Sequence, residues 1–370
     1  MDKIKIKGGR QLNGEIFISG AKNAALPLIC ASLLTEETVT LTNMPILSDI
    51  KSMNLLLEQL GTQIDSFDDF VDGHPTKTYS YRTPELTSIA APYDYVRKMR
   101  ASYYVLGPLL ARAGKVELSL PGGCAIGTRP MDIHLAAMEE MGAKIDIRNG
   151  YVYGEVDGRL KGAHIVFRTV SVGATCNVLM AATLAEGITV LENAAKEPEI
   201  GDLINLLNDM GAKISGIGTS ILTIEGVEKL HGARHKVIPD RIEAGSYAVA
   251  AAITGGKIEL INAQTYTLKT PMQILQKMGV EVMPTERGIL VDATGKKLIG
   301  EDIITEPFPG FPTDLQAQFM ALLTVAEGAG MVTETIFENR FMHVPELLRM
   351  GANINVHGHA SAIVRGVKKL

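Results

Sequence analysis

Cys124 stands in the segment Pro121-Gly122-Gly123-Cys124-Ala125-Ile126-Gly127-Thr128-Arg129-Pro130. Three glycines and two prolines in ten residues exclude a helix or a regular strand there. Such a loop can open and close over a site, and a thiol at its tip would be exposed and reactive. The bland alternative is a surface loop with an incidental cysteine. Free cysteines usually hide in cores, so one in a Gly-Pro loop close to Arg129 points to chemistry. The other two cysteines, Cys30 and Cys176, fall in small-residue helical stretches and read as inert core.

A second group of polar residues opens five helices. These openings are Gly20-Ala21-Lys22-Asn23, Arg97-Lys98-Met99-Arg100, Thr169-Val170-Ser171-Val172-Gly173, Asp240-Arg241-Ile242-Glu243 and Pro312-Thr313-Asp314. A helix N-terminus exposes unpaired N–H groups and the positive end of the macrodipole, so it attracts anions. Ordinary capping accounts for Ser171, Asp240 and Asp314. It does not account for Lys22 and Arg100, because a cation is repelled at that end. Those two read as anion-binding side chains.

The elements that position these residues repeat along the chain. Leu60-Gly61-Thr62-Gln63-Ile64, Met141-Gly142-Ala143-Lys144-Ile145, Met210-Gly211-Ala212-Lys213-Ile214, Met278-Gly279-Val280-Glu281-Val282 and Met350-Gly351-Ala352-Asn353-Ile354 share one signature. Each follows an amphipathic run, so each reads as a helix stopped by a left-handed glycine and followed at once by a strand. A small-residue helix comes earlier in every unit, over 21–34, 97–113, 173–185, 243–254 and 314–326. A strand follows it, at 38–41, 115–120, 189–191, 257–260 and 331–333. The expectation is a βαβαβ unit of about 70 residues, too long for common solenoids and suited to a pseudo-symmetric α/β domain. The first helices should be buried on most sides, and the second should keep a wet face.

The chain has 370 residues, enough for two domains. Its net charge is -5, and its basic residues form no stripe for a nucleic-acid backbone. Met1-Asp2-Lys3-Ile4-Lys5-Ile6-Lys7 alternates basic and apolar residues; it reads as a strand and not as a signal peptide. The apolar stretch 24–34 is too short to span a bilayer, so a cytoplasmic protein is expected. The cysteines form no disulfide framework and no zinc pair. No Walker-type loop is present, and Gly328-Ala329-Gly330 lacks the rest of a dinucleotide fingerprint. His357-Gly358-His359 reads as solvent-facing rather than as a metal pair.

Several segments together resemble the UDP-N-acetylglucosamine 1-carboxyvinyltransferases of the enolpyruvyl transferase family. They are Gly20-Ala21-Lys22-Asn23-Ala24-Ala25-Leu26-Pro27, Met99-Arg100-Ala101-Ser102, the 121–130 loop, Pro239-Asp240-Arg241-Ile242-Glu243, Phe311-Pro312-Thr313-Asp314-Leu315-Gln316-Ala317-Gln318 and Thr335-Ile336-Phe337-Glu338-Asn339-Arg340. They run in order along the whole chain.

The resemblance implies an α/β fold, an inside-out α/β barrel of two pseudo-symmetric domains. It places the first at 22–238, carrying the Cys124 loop, and the second at 1–21 plus 239–370, with the active site between them. The family has six repeats; five are found here, so the second domain is expected to be incomplete at its C-terminus. The implied reaction joins the three-carbon unit of phosphoenolpyruvate to the 3-hydroxyl of the nucleotide sugar and expels phosphate. By resemblance, Cys124 is the general acid and the thiol that fosfomycin alkylates, and Asp314 is the base. Lys22, Asn23 and Arg129 match the phosphoenolpyruvate site. Arg100, Arg129, Pro130, Met131, Asp132, Ile133, Ser171, Val172, Gly173, Asp314 and Ile336 match the UDP-N-acetylglucosamine site. No metal or organic cofactor is implied. Two rival readings stand beside this one: enolpyruvylshikimate-phosphate synthase, which lacks the Pro-Gly-Gly-Cys loop, and a non-catalytic chain that binds a UDP-sugar or a partner.

Overall fold

The five signature glycines all have positive φ: +106° at Gly61, +93° at Gly142, +98° at Gly211, +98° at Gly279 and +99° at Gly351. They end the helices Ser48–Gln59, Asp132–Glu140, Pro198–Asp209, Lys269–Lys277 and Val344–Arg349. At Gly142 the N–H bonds the Glu139 carbonyl, and the N–H of Ala143 reaches back to Met138. The same pair recurs as Gly211 to Asn208 and Ala212 to Leu207. This double bond pattern satisfies last-turn carbonyls and needs the left-handed residue that glycine supplies without a Cβ clash.

The computed structural model describes residues 4–71, 73–96, 99–120 and 131–370. The described residues fall into two units by their contacts. One holds those of Ser19–Cys124 and Arg129–Ile238, the other those of Met1–Ile18 and Pro239–Leu370. Each has its own apolar core, built from residues within 21–237 in the first and from Ile18 with residues within 244–364 in the second. Two of the small-residue helices, Lys22–Ala31 and Val172–Ala182, are almost wholly buried, as their Ala, Gly and Cys content allows.

Among the described residues there are five four-stranded sheets, and all have one plan. The strand after the small-residue helix pairs parallel with an edge strand and antiparallel with the last strand of a hairpin. In the larger unit the sheets centre on Val39–Met44, Lys115–Ser119 and Ile188–Glu192, with parallel edges Arg234–Lys236, Ala90–Ala91 and His164–Val166. In the other unit they centre on Lys257–Ile261 and Ala329–Thr333, with edges Asn13–Phe17 and Ile303–Ile304. The observed unit therefore has one more strand than the βαβαβ reading. Its last two strands form a hairpin, such as Lys144–Arg148 with Tyr151–Glu155, which periodicity alone merges into one extended stretch.

Residues 4–10 form no strand, against expectation. Ile4 and Ile6 are 91% and 84% exposed. Alternation without a partner strand has no ladder to join; the pairing with Lys257–Ile261 is made instead by Asn13–Phe17.

One further device recurs. Asn43, Asn193 and Asn262 lie near or just past the end of a central strand with φ of +56°, +56° and +68°. Their amide groups donate to the carbonyls of Val237 (2.8 Å), Phe167 (2.9 Å) and Ile18 (3.1 Å). Each acceptor is the residue following a parallel edge strand, four positions before Arg241, Ser171 and Lys22 respectively. The asparagines thus anchor the chain where it turns into a helix start. Asparagine suits the place, because its side chain tolerates the left-handed region.

Candidate active site

Lys22 is the first residue of the helix Lys22–Ala31, whose N-terminus has no side-chain cap. Its Nζ lies 3.6 Å from Oδ2 of Asp49, in the first turn of Ser48–Gln59, and both side chains are about 40% exposed. Asn23 follows on the same turn, half-buried. A partly exposed cation and an amide are therefore gathered at one helix start, an arrangement suited to a phosphate or carboxylate group. Asp49 was not legible from sequence, since it lies on a different helix and carries no motif of its own.

Ser171 and Asp240 are caps, as the simpler reading has it. Ser171 Oγ accepts from the Ala174 N–H, and Asp240 accepts from Ile242 and Glu243. Met131, Asp132 and Ile133 form the start of Asp132–Glu140, which packs against Val172–Ala182. Asp132 pairs with Arg168, so the two candidate sugar-nucleotide segments are tied at the surface. Beneath them, Gly173 packs so closely that a Cβ would fall 2.7 Å from the Tyr103 hydroxyl and 3.0 Å from His134 Cε1. His134 is 5% exposed, and burial lowers its pKa to about 4. It is neutral at pH 7 and lies 3.0 Å from the Asn177 amide, which also bonds the Tyr103 carbonyl. A larger residue at 173 would push this packed floor apart. Arg168 and His134 carried no sequence signal of a role.

In the other unit, Asp314 lies in the 3-10 turn Thr313–Leu315 and does not cap a helix. The capping account of this residue is thereby corrected: its Oδ1 accepts from Arg340 Nη2 at 2.8 Å. Arg340 is the more enclosed partner, with 17% of its side chain exposed. It ends the Thr335–Arg340 motif, which was the available signal for it. Ile336 is half-buried in the same loop, and its N–H donates to the Glu334 carboxylate at 2.9 Å.

Cys124, Arg129 and Pro130 lie outside the described residues. Of Arg100 the backbone is described, and it opens the 3-10 helix Arg100–Val105. Cys30 and Cys176 are fully buried, and desolvation raises both thiols well above their ordinary value. Neither can serve as a thiolate at neutral pH.

The sequence profile of the EPSP synthase (3-phosphoshikimate 1-carboxyvinyltransferase) family matches residues 6–370. The UDP-N-acetylglucosamine 1-carboxyvinyltransferase of Paramagnetospirillum magneticum is 58% identical over 100% of this chain and 86% of its own length. The enzyme of that name from Gluconobacter oxydans is 57% identical with the same coverage. Among solved structures, the enolpyruvyl transferase NikO from Streptomyces tendae aligns with a TM-score of 0.83 at 22% identity, over 97% of this chain and 83% of that one. EPSP synthase from Acinetobacter baumannii aligns at 0.71 and 20% identity, over 98% and 83%. These structural likenesses speak to the fold.

Proposed function

We infer the reaction from kinship: the chain belongs to the UDP-N-acetylglucosamine 1-carboxyvinyltransferases, within the EPSP synthase family. It transfers the enolpyruvyl group of phosphoenolpyruvate to the 3-hydroxyl of UDP-N-acetylglucosamine and releases phosphate. The observation that carries this is identity of 58% along the full chain. The reaction would be the first committed step of peptidoglycan synthesis, and so would bear on cell shape and division. A cytoplasmic setting fits it; among the described residues no helix is long and apolar enough to cross a membrane.

The chemistry assigns the residues. Protonation of phosphoenolpyruvate at C3 makes C2 electrophilic, and Cys124 is the acid for that step. The sugar hydroxyl attacks C2 and gives its proton to Asp314. A tetrahedral phosphoketal results. Loss of a proton from C3 and departure of phosphate restore the double bond, now joined to the sugar oxygen. Lys22, Asn23 and Arg129 take the phosphate and carboxylate of the donor and offset its negative charge. Arg100, residues 129–133, Ser171-Val172-Gly173, Asp314 and Ile336 take the nucleotide sugar. Residues 22–238 and residues 1–21 plus 239–370 serve as the paired domains of the family.

The placement of Lys22 at an uncapped helix start supports its share of this reading. So does the hydrogen bond of Arg340 to Asp314, which fixes one carboxylate oxygen and orients the other.

Phosphate release measured with both substrates tests the reading. Release that requires UDP-N-acetylglucosamine is expected. Release with shikimate 3-phosphate and none with the nucleotide sugar would assign the chain to the other branch of the family. A folded chain that binds the nucleotide sugar and releases no phosphate would be a binding protein only.

A further inference from the structure

Glu334 occupies the place in its repeat that Asn43, Asn193 and Asn262 hold in theirs, beyond the strand Ala329–Thr333. The residue it faces, Thr305, corresponds to Val237, Phe167 and Ile18, the first after the parallel edge strand. The expected amide-to-carbonyl bond is missing here. The Thr305 carbonyl instead accepts from the Thr335 hydroxyl, so another residue does the asparagine's work.

The carboxylate takes four donors. Oε1 accepts from the Thr305 hydroxyl at 2.9 Å and from the N–H groups of Ile336 and Phe337 at 2.9 and 3.1 Å. Oε2 accepts from the Thr313 hydroxyl at 2.9 Å. Glu334 is 4% exposed and Thr305 is fully buried, so the bond between them is shielded from water, while the other three are partly buried. A carboxylate accepts at both oxygens, which suits four converging donors.

The two segments joined in this way carry site residues. Thr313 directly precedes Asp314, and Ile336 is itself bonded. We propose that Glu334 is a positioning residue that sets the Asp314 turn and the Ile336 loop at one spacing for the sugar nucleotide. This rests on the reaction assigned above. Glu334 touches no reacting atom; it acts through Thr313 and the 336–337 backbone. Arg340 adds a second hold by donating to Asp314.

Four variants test the proposal: Glu334→Ala, Glu334→Gln, Thr313→Val and Thr313→Ser. Glutamine keeps one accepting oxygen for the three Oε1 donors, and its amide can donate to a rotated Thr313 hydroxyl. Serine keeps the hydroxyl. Calorimetry with UDP-N-acetylglucosamine and steady-state kinetics should show Glu334→Ala and Thr313→Val losing about tenfold to a hundredfold in sugar binding or kcat. KM for phosphoenolpyruvate should stay within about twofold, and Glu334→Gln and Thr313→Ser should restore most of the loss. If Glu334→Ala fails to fold, Thr313→Val carries the same comparison. Unchanged sugar binding and turnover in folded variants would overturn the proposal. So would equal weakening toward both substrates, or a loss that the conservative changes do not repair. Amide exchange at Ile336 and Phe337 is read without substrate. It should accelerate in Glu334→Ala, and no acceleration would mean the tether is absent. If the unsubstituted chain releases no phosphate, the reaction assignment fails, whereas the exchange result still decides the tether.

Discussion

Asp314 and Lys22 illustrate how a side chain's partner defines what it can do. A carboxylate already hydrogen-bonded through one oxygen to Arg340 presents the other in a fixed direction, as a general base requires. Asp314→Asn keeps the shape and removes the base, so kcat should fall by about a hundredfold to ten-thousandfold while nucleotide-sugar binding changes little. A kcat that holds up in single-turnover kinetics would remove Asp314 from that role. Lys22→Ala should raise KM for phosphoenolpyruvate far more than that for the sugar, since its charge stands at an uncapped helix start. Equal effects on the two substrates would contradict the assignment. Cys124→Ser should end covalent labelling by fosfomycin, read by intact mass, with sugar binding preserved. The buried Cys30 and Cys176 are too protonated and enclosed to substitute for it.

The recurring strand–helix corner is built from one backbone conformation and one side-chain bond. Substitutions at Asn193 separate the two. Asn193→Gly keeps the permissive backbone and removes the bond to the Phe167 carbonyl, so denaturant unfolding should show a loss of about 1 kcal/mol. Asn193→Ala keeps a Cβ at φ of +56° but loses the amide whose local hydrogen bonding makes that conformation tolerable, which should add about 1–2 kcal/mol. Similar stability for both variants would show that the left-handed turn costs nothing here. The corner was only half legible in sequence. Glycine stops stood out because one residue type serves one backbone need. The asparagines did not, since two of their three acceptors lie far along the chain: Asn43 reaches Val237 and Asn262 reaches Ile18.

Across the larger unit, the strand Arg234–Lys236 returns late in the chain to pair with Val39–Met44 and complete the first sheet. His235 in that strand is held by Asp202 at 2.8 Å and faces Asp209 at 3.6 Å. Burial pushes its pKa down, but the hydrogen bond and charge of Asp202, followed by those of Asp209, outweigh this and raise it above the ordinary 6.5. The protonated form is therefore favoured in the folded state. Its stabilising contribution is complete below pH 6.5 and disappears as pH rises through the folded value. Thermal melting between pH 6 and 9 should show this loss, and Asp202→Asn should flatten it. A profile unchanged by the substitution would mean another group is responsible.

The period, the five helix stops, the helix starts at Lys22, Ser171 and Asp240, and two almost wholly buried small-residue helices were readable from residue order. Each rests on an interaction spanning a few residues: a glycine at positive φ, an apolar face, a cap. The order of strands was not fully readable, because in two of the five described sheets the parallel edge strand comes from a distant part of the chain: Arg234–Lys236 joins Val39–Met44 and Asn13–Phe17 joins Lys257–Ile261. Nor were the pairs Lys22 with Asp49 and Asp314 with Arg340, or the four bonds of Glu334. Those depend on where long stretches of chain return, and charge and hydrogen bonding act over a few ångströms in space regardless of separation in sequence. Short-range preference shaped the pieces; packing chose which polar groups would meet.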